Sequence, residues 1–134
     1  MRRPRTNLRR VTLGALTILI SGACLAHHSG ALWDTSKTET LEGTVKQFQW
    51  NNPHCWIQLL VAGDTTGTTQ EWSIEMAAPI QVLQGGWKPS TLKSGDRVQV
   101  RLHPARDGSH SGNFVSALRA DGQPIGKAQQ EHRP

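Results

Sequence analysis

Two alternating apolar runs separated by a short glycine-bounded gap constrain this chain more than any other feature. Cys55, Ile57, Leu59 and Val61 occupy every second position, and so do Trp72, Ile74 and Met76. A period of two marks a strand with one buried face. Gly63-Asp64-Thr65-Thr66-Gly67 lies between the runs and reads as a turn. The inward residues are odd in the first strand and even in the second. A hairpin closed by this turn therefore sets Cys55 opposite Met76, Ile57 opposite Ile74 and Leu59 opposite Trp72, all facing inward. On the outer face it sets Trp56 opposite Glu75, Gln58 opposite Ser73 and Leu60 opposite Glu71, with His54 just beyond Trp56.

The same period recurs elsewhere. Leu41, Gly43 and Val45 alternate with Glu42, Thr44 and Lys46, and the phase then flips to Phe48 and Trp50, which calls for a bulge near Lys46-Gln47. Asn51-Asn52-Pro53-His54 has the composition of a turn. Ala77 to Gln84 reads as a short helix, with Pro79 in its first turn and Gly85-Gly86 at its end. Val98, Val100 and Leu102 mark a fourth strand that includes His103, His103-Pro104 to Gly112 a polar loop, and Phe114 to Ala120 a fifth strand. Three strands, one helix and two strands are the element order of an OB-like five-stranded, partly open barrel, all-β but for one short helix. A β-sandwich is the alternative. Trp72 and Trp87 belong in the core of such a barrel.

The chain divides into an expected secretory signal at 1–26, an N-terminal arm at 27–39, the barrel at 40–125 and a loose polar tail at 126–134. Arg2, Arg3, Arg5, Arg9 and Arg10 precede a ten-residue, largely apolar stretch from Val11 to Ile20, and small residues lead to Ala26. This layout directs export, with cleavage expected after Ala26, and a ten-residue run is too short to cross a bilayer. An uncleaved anchor is the alternative. Arg9-Arg10 weakly resembles a twin-arginine signal and Cys24 a lipoprotein box. The formal net charge of +5 belongs to this segment, because ten basic and ten acidic residues remain after it. The basic balance therefore gives no reason to expect a nucleic-acid partner. A periplasmic or secreted location and no stable membrane span in the mature chain are expected. With Cys24 removed, Cys55 has no partner for an internal disulfide.

Cleavage after Ala26 would expose His27 and His28. A terminal His combines an α-amine and an imidazole, a chelating pair suited to tetragonal Cu(II). His54 and Glu75 supply imidazole and carboxylate, which suit copper or zinc. Twelve extended residues of this arm reach roughly 40 Å, enough to fold back on that rim. The candidate metal ligands are therefore His27, His28, His54 and Glu75. The blander reading is a solvated arm and a turn histidine that bonds locally. Cys55 facing Met76 reads as core rather than a soft copper site. Trp50 and Trp56 are candidate platforms for a ligand, and His103 and His110 bracket a loop that faces it. No nucleophile-elbow, dinucleotide or phosphate-loop pattern is present, so catalysis is not expected.

HHS at 27–29, LEGTV at 41–45, FQWNNPHCW at 48–56, EWSIEM at 71–76, GGW at 85–87, LKSGD at 92–96 and HPARDGS at 103–109 together carry a family resemblance. The chain resembles bacterial secreted proteins grouped as domain of unknown function 6152. The resemblance implies export and one small domain, and a plain apolar residue at position 55. It implies no activity. The expected function is binding of a small ligand, most plausibly copper or zinc. The alternative is an accessory module that meets a periplasmic protein partner through an exposed Trp face.

Overall fold

A computed structural model describes residues 32–127. Strand β1 (Glu39–Gln49) is followed by β2 (Trp56–Ala62) and β3 (Thr69–Glu75), helix α1 (Pro79–Gln84), then β4 (Arg97–Pro104) and β5 (Ser111–Arg119). The strands close into a barrel in the order β1-β2-β3-β5-β4. This is the expected OB-like architecture. Closure is completed by the parallel β3–β5 seam, which spans only three residue pairs, from Ser73↔Ser111 to Glu75↔Asn113.

Alternation fixes the register. Trp56 pairs with Glu75, Ile57 with Ile74, Gln58 with Ser73, Leu59 with Trp72 and Leu60 with Glu71, as the phase of the two runs dictates. Ile57, Leu59 and Ile74 are fully buried, so a one-residue slip of β2 would turn Ile57 and Leu59 toward solvent, and one of β3 would turn Ile74. β1 shifts register between Val45 and Gln47, at the bulge that the phase flip requires. A second irregularity lies between Arg101 and Leu102 in β4.

α1 begins at Pro79, two residues later than the apolar pattern suggests. The Gln81 side chain accepts the Ala78 N–H at 3.3 Å, and the chain leaves the helix at Gly85. Beyond it Gly86 adopts φ +88°, a left-handed conformation that a side chain would strain. Trp87 then turns into the barrel, where its ring meets Phe114 edge-on at 5.4 Å. Trp72 and Trp87 are both buried, in line with their phase.

Two boundaries differ from the sequence reading. β4 runs through His103 to Pro104, one residue into the expected loop, and β5 starts at Ser111 rather than Phe114. Backbone pairing, not apolar side chains, makes both extensions: His103↔Asn113 and Pro104↔Gly112 continue the β4–β5 ladder. The arm is also more structured than its polarity suggests. Trp33 is buried and bridges to Ala105 beyond the end of β4. The Asp34 N–H donates to the Pro104 carbonyl at 2.8 Å, and the Arg106 N–H to the Leu32 carbonyl at 2.9 Å.

Candidate functional site

The β1–β2 turn carries His54 to the rim of the barrel. Its end is pinned by Cys55, whose N–H donates to the Ala77 carbonyl at 3.1 Å while its own carbonyl accepts the Met76 N–H at 2.9 Å. These bonds bring residue 54 beside residue 75. Nδ1 of His54 touches the Glu75 carboxylate, which is buried although charged groups rarely are without a partner. Trp56 is paired with Glu75 and half-buried. Asn113 follows on the next strand and donates to the Glu75 carbonyl at 3.4 Å. His54, Trp56 and Glu75 therefore cluster as the hairpin register requires. Asn113 escaped sequence reasoning because Ser111, Gly112 and Asn113 are joined to β3 by backbone pairing and carry no apolar alternation.

The other candidates sit apart. His27 and His28 lie outside the described residues. Trp50 is half-buried, edge-on to Phe48 at 5.8 Å. His110 is exposed at the other end of the barrel, stacked on Trp72 at 5.2 Å with 27° between the rings. His103, expected at a ligand-facing loop, is buried. Its Nδ1 lies 2.6 Å from the Lys37 carbonyl, which can only accept, so Nδ1 carries a proton and donates it to this bond. The arm covers His103 and removes it from the accessible face.

Among the described residues no three His, Cys, Asp or Glu side chains converge on one point, so the rim itself offers two ligands, His54 and Glu75. The reach of the arm is also shorter than its length implies. Docking of Leu32 and Trp33 at Ala105–Arg106 leaves residues 27–31 ahead of the anchor, about 17 Å when extended. Three interstrand steps and five residues along the strands separate Arg106 from His54, about 22 Å over the surface. A straight arm with its imidazole outstretched just spans that gap.

Between the arm and the 104–110 loop lies a cavity of about 350 Å³, lined by Asp34, Lys37, Glu39, Trp72 and Arg106 among others. Its charges are largely answered from within. Asp34 bonds the Ser36 hydroxyl at 2.6 Å and meets Lys37 at 3.2 Å, and the hydroxyl bond holds its carboxyl below the ordinary value. Ser109 does the same for Asp107. Burial pushes the Cys55 thiol up, which keeps it protonated and inert. Cys55 and Met76 are both buried in the core.

The closed five-stranded sheet and its capping helix define an OB-like barrel. The chain belongs to the family of unknown function DUF6152, whose model matches residues 16–114. No curated protein matches it. Among solved structures it is similar to two crystal forms of Rim1, a mitochondrial single-stranded DNA binding protein from S. cerevisiae. One form is 12% identical at a TM-score of 0.47, covering 69% of this chain and 96% of that one. The other is 10% identical at the same TM-score, covering 70% and 98%. Among the described residues no helix is long and apolar enough to cross a membrane.

Proposed function

We propose that this chain is an exported, non-catalytic binding barrel whose rim takes a transition metal, copper or zinc, through His54 and Glu75. The observation that carries this reading is the direct contact between the His54 imidazole and the buried Glu75 carboxylate. Imidazole and carboxylate are common first-row metal ligands, and a pair already in contact needs little rearrangement to share an ion. His27 and His28 are the remaining ligands of this proposal. Export rests on the arginine-rich start and the short apolar run after it. Mass spectrometry of the exported protein should show a chain starting at His27. A lipid-modified Cys24 at the start would overturn this cleavage.

Calorimetric titration of the mature protein tests the metal. Cu(II) should bind more tightly than Zn(II), and acidification that protonates imidazole should weaken both. His54→Ala should weaken binding, and so should one extra residue before His27, whereas His103→Ala should not. Deleting Gly30 and Ala31 shortens the arm by about 7 Å and should uncouple it from the rim. If the arm variants lose binding while His54→Ala does not, the barrel has no part in it. Binding no tighter than micromolar in every variant refutes the metal.

A second reading is a module that meets a periplasmic protein. Ile80 and Leu83 stand 61% and 48% exposed on α1, at the barrel end that also carries Trp50. Ile80→Asp with Leu83→Asp should abolish capture of a partner from periplasmic extract without altering metal titration.

A further inference from the structure

We propose that the outer face of the sheet formed by the end of β1 with β2, β3 and the start of β5 binds a neutral oligosaccharide. Two adjacent rows of paired residues cross this face. One runs Gln49, Trp56, Glu75, Asn113, and the other Gln47, Gln58, Ser73, Ser111. Direct partners in a sheet point to the same side. Ile57 and Ile74, between the rows, are fully buried, so both rows face outward.

The composition of these eight positions is distinctive. Four are amides and two are serines. One is tryptophan. The single charge, Glu75, is buried against His54. Neither row contains Lys or Arg. Lys46 stands at the margin and is answered by Glu71 at 2.7 Å. A phosphate backbone or a sulfated polymer needs clustered cations, which this surface lacks. An apolar partner would bury the Gln58 Nε2 donors and the Asn113 Oδ1 acceptor without hydrogen bonds.

Sugar hydroxyls match the surface on chemical grounds. Each is a donor and an acceptor, and so is each amide and serine side chain. The C–H face of a pyranose ring can lie on an indole, which presents a broad apolar surface with a polar edge. The existing bonds also orient the amides. Ser73 Oγ donates to Gln58 Oε1 at 2.7 Å, and Gln49 Nε2 donates to Gln47 Oε1 at 3.3 Å. The Gln58 Nε2 donors and the Asn113 Oδ1 acceptor make no hydrogen bond among the described residues. Gln58 lies in the neighbouring row on the same strand as Trp56, and Asn113 lies in the row of Trp56, beyond Glu75. The row beyond Asn113 reaches His103, where the arm closes the face at Lys37. The two rows span four strands, about 15 Å, the length of a few sugar units.

The test uses the mature chain labelled with ¹⁵N and two neutral probes, cellohexaose and chitotetraose, with a heparin hexasaccharide as the anionic control. Either neutral probe should shift the Trp56 indole resonance and the Gln58 and Asn113 amides in a saturable way. Trp56→Ala should weaken binding at least about tenfold, and Gln58→Ala should weaken it by less. Trp56→Phe should retain part of it, and both Trp56 variants should melt close to the wild type, which shows that the fold survives. One extra residue before His27 should leave the sugar titration unchanged, separating this face from the proposed metal ligands of the arm. The proposal is overturned if neither neutral probe moves these resonances at millimolar concentration. It is equally overturned if heparin binds the face more tightly than both, or if Trp56→Ala binds as well as the wild type.

Discussion

The carbonyl of Lys37 accepts a hydrogen bond from Nδ1 of His103 at 2.6 Å, fastening the segment ahead of β1 to the end of β4. Trp33, in the same segment, is buried and bridged to Ala105. Together they make residues 32–38 part of the barrel wall and set the short reach of residues 27–31.

The first prediction follows from that anchorage. Trp33→Ala should cost about 3 kcal/mol, the lower end for a buried tryptophan, because its indole N–H has no partner to lose. Removing residues 1–31 should leave stability unchanged, whereas removing residues 1–38 should cost at least as much as Trp33→Ala. Urea unfolding followed by tryptophan fluorescence reads all three. Equal stability after both truncations would show that the arm contributes nothing.

Trp72 and Glu71 are neighbours in sequence on opposite faces of β3, and their variants should separate cleanly. Trp72 is buried opposite Leu59, so Trp72→Ala should cost about 3–5 kcal/mol. Glu71 pairs with Lys46 in solvent, and Glu71→Ala should cost less than about 1 kcal/mol. Trp72→Phe should cost much less than Trp72→Ala, because it also removes a buried N–H with no partner. Similar losses for Trp72→Ala and Glu71→Ala would contradict the phase of β3.

The phase was readable because both strands of the β2–β3 hairpin alternate strictly and the turn between them is short. Cys55 to Val61 and Trp72 to Met76 leave one register that buries both sets, and this register also brings His54 to Glu75. The bulge at Lys46 was readable for the same reason, since Phe48 and Trp50 break the parity of Leu41 to Val45. Trp33 was not readable. It is a single apolar residue in a polar stretch, and one residue has no period. The start of β5 was hidden in a different way. Ser111, Gly112 and Asn113 are held by backbone pairing to β3 and β4, which leaves no apolar signature. Without that seam the sequence could not place Asn113 beside Glu75, or extend the Gln58–Ser73 pair to Ser111.

Gly112 shows how closely β5 approaches β4. A Cβ there would lie 2.5 Å from Leu102 Cδ1 and 2.7 Å from the His103 carbonyl oxygen. Gly43 is similar, with a Cβ 2.5 Å from the Leu60 carbonyl oxygen. Gly112→Ala and Gly43→Ala should each cost about 1–3 kcal/mol through forced backbone shifts. Gly122→Ala is a useful contrast. It meets no atom within 4 Å but carries φ +82°, so its cost should be conformational strain alone, about 1 kcal/mol. Thermal melts of the three variants check the order. If Gly122→Ala proved the most damaging, close packing would not be what fixes the other two glycines.

Cys55 provides a pH test of the core. Its thiol is raised above the ordinary value of 9.0 by burial. Between 9.0 and the raised value the folded chain keeps a proton that the unfolded chain has lost. Stability therefore falls as pH rises through this window, and below it the residue adds no pH dependence. In protein lacking residues 1–26, unfolding free energy should decline more steeply above pH 9 for the wild type than for Cys55→Ala. The variant will be less stable throughout because it leaves a small cavity, so the difference in slope is the informative quantity. Iodoacetamide should label Cys55 in native protein at pH 8 only as fast as the barrel opens, and rapidly in urea. Labelling of native protein at the rate of a free thiol, or identical alkaline slopes in both proteins, would place Cys55 in contact with solvent and not in the core.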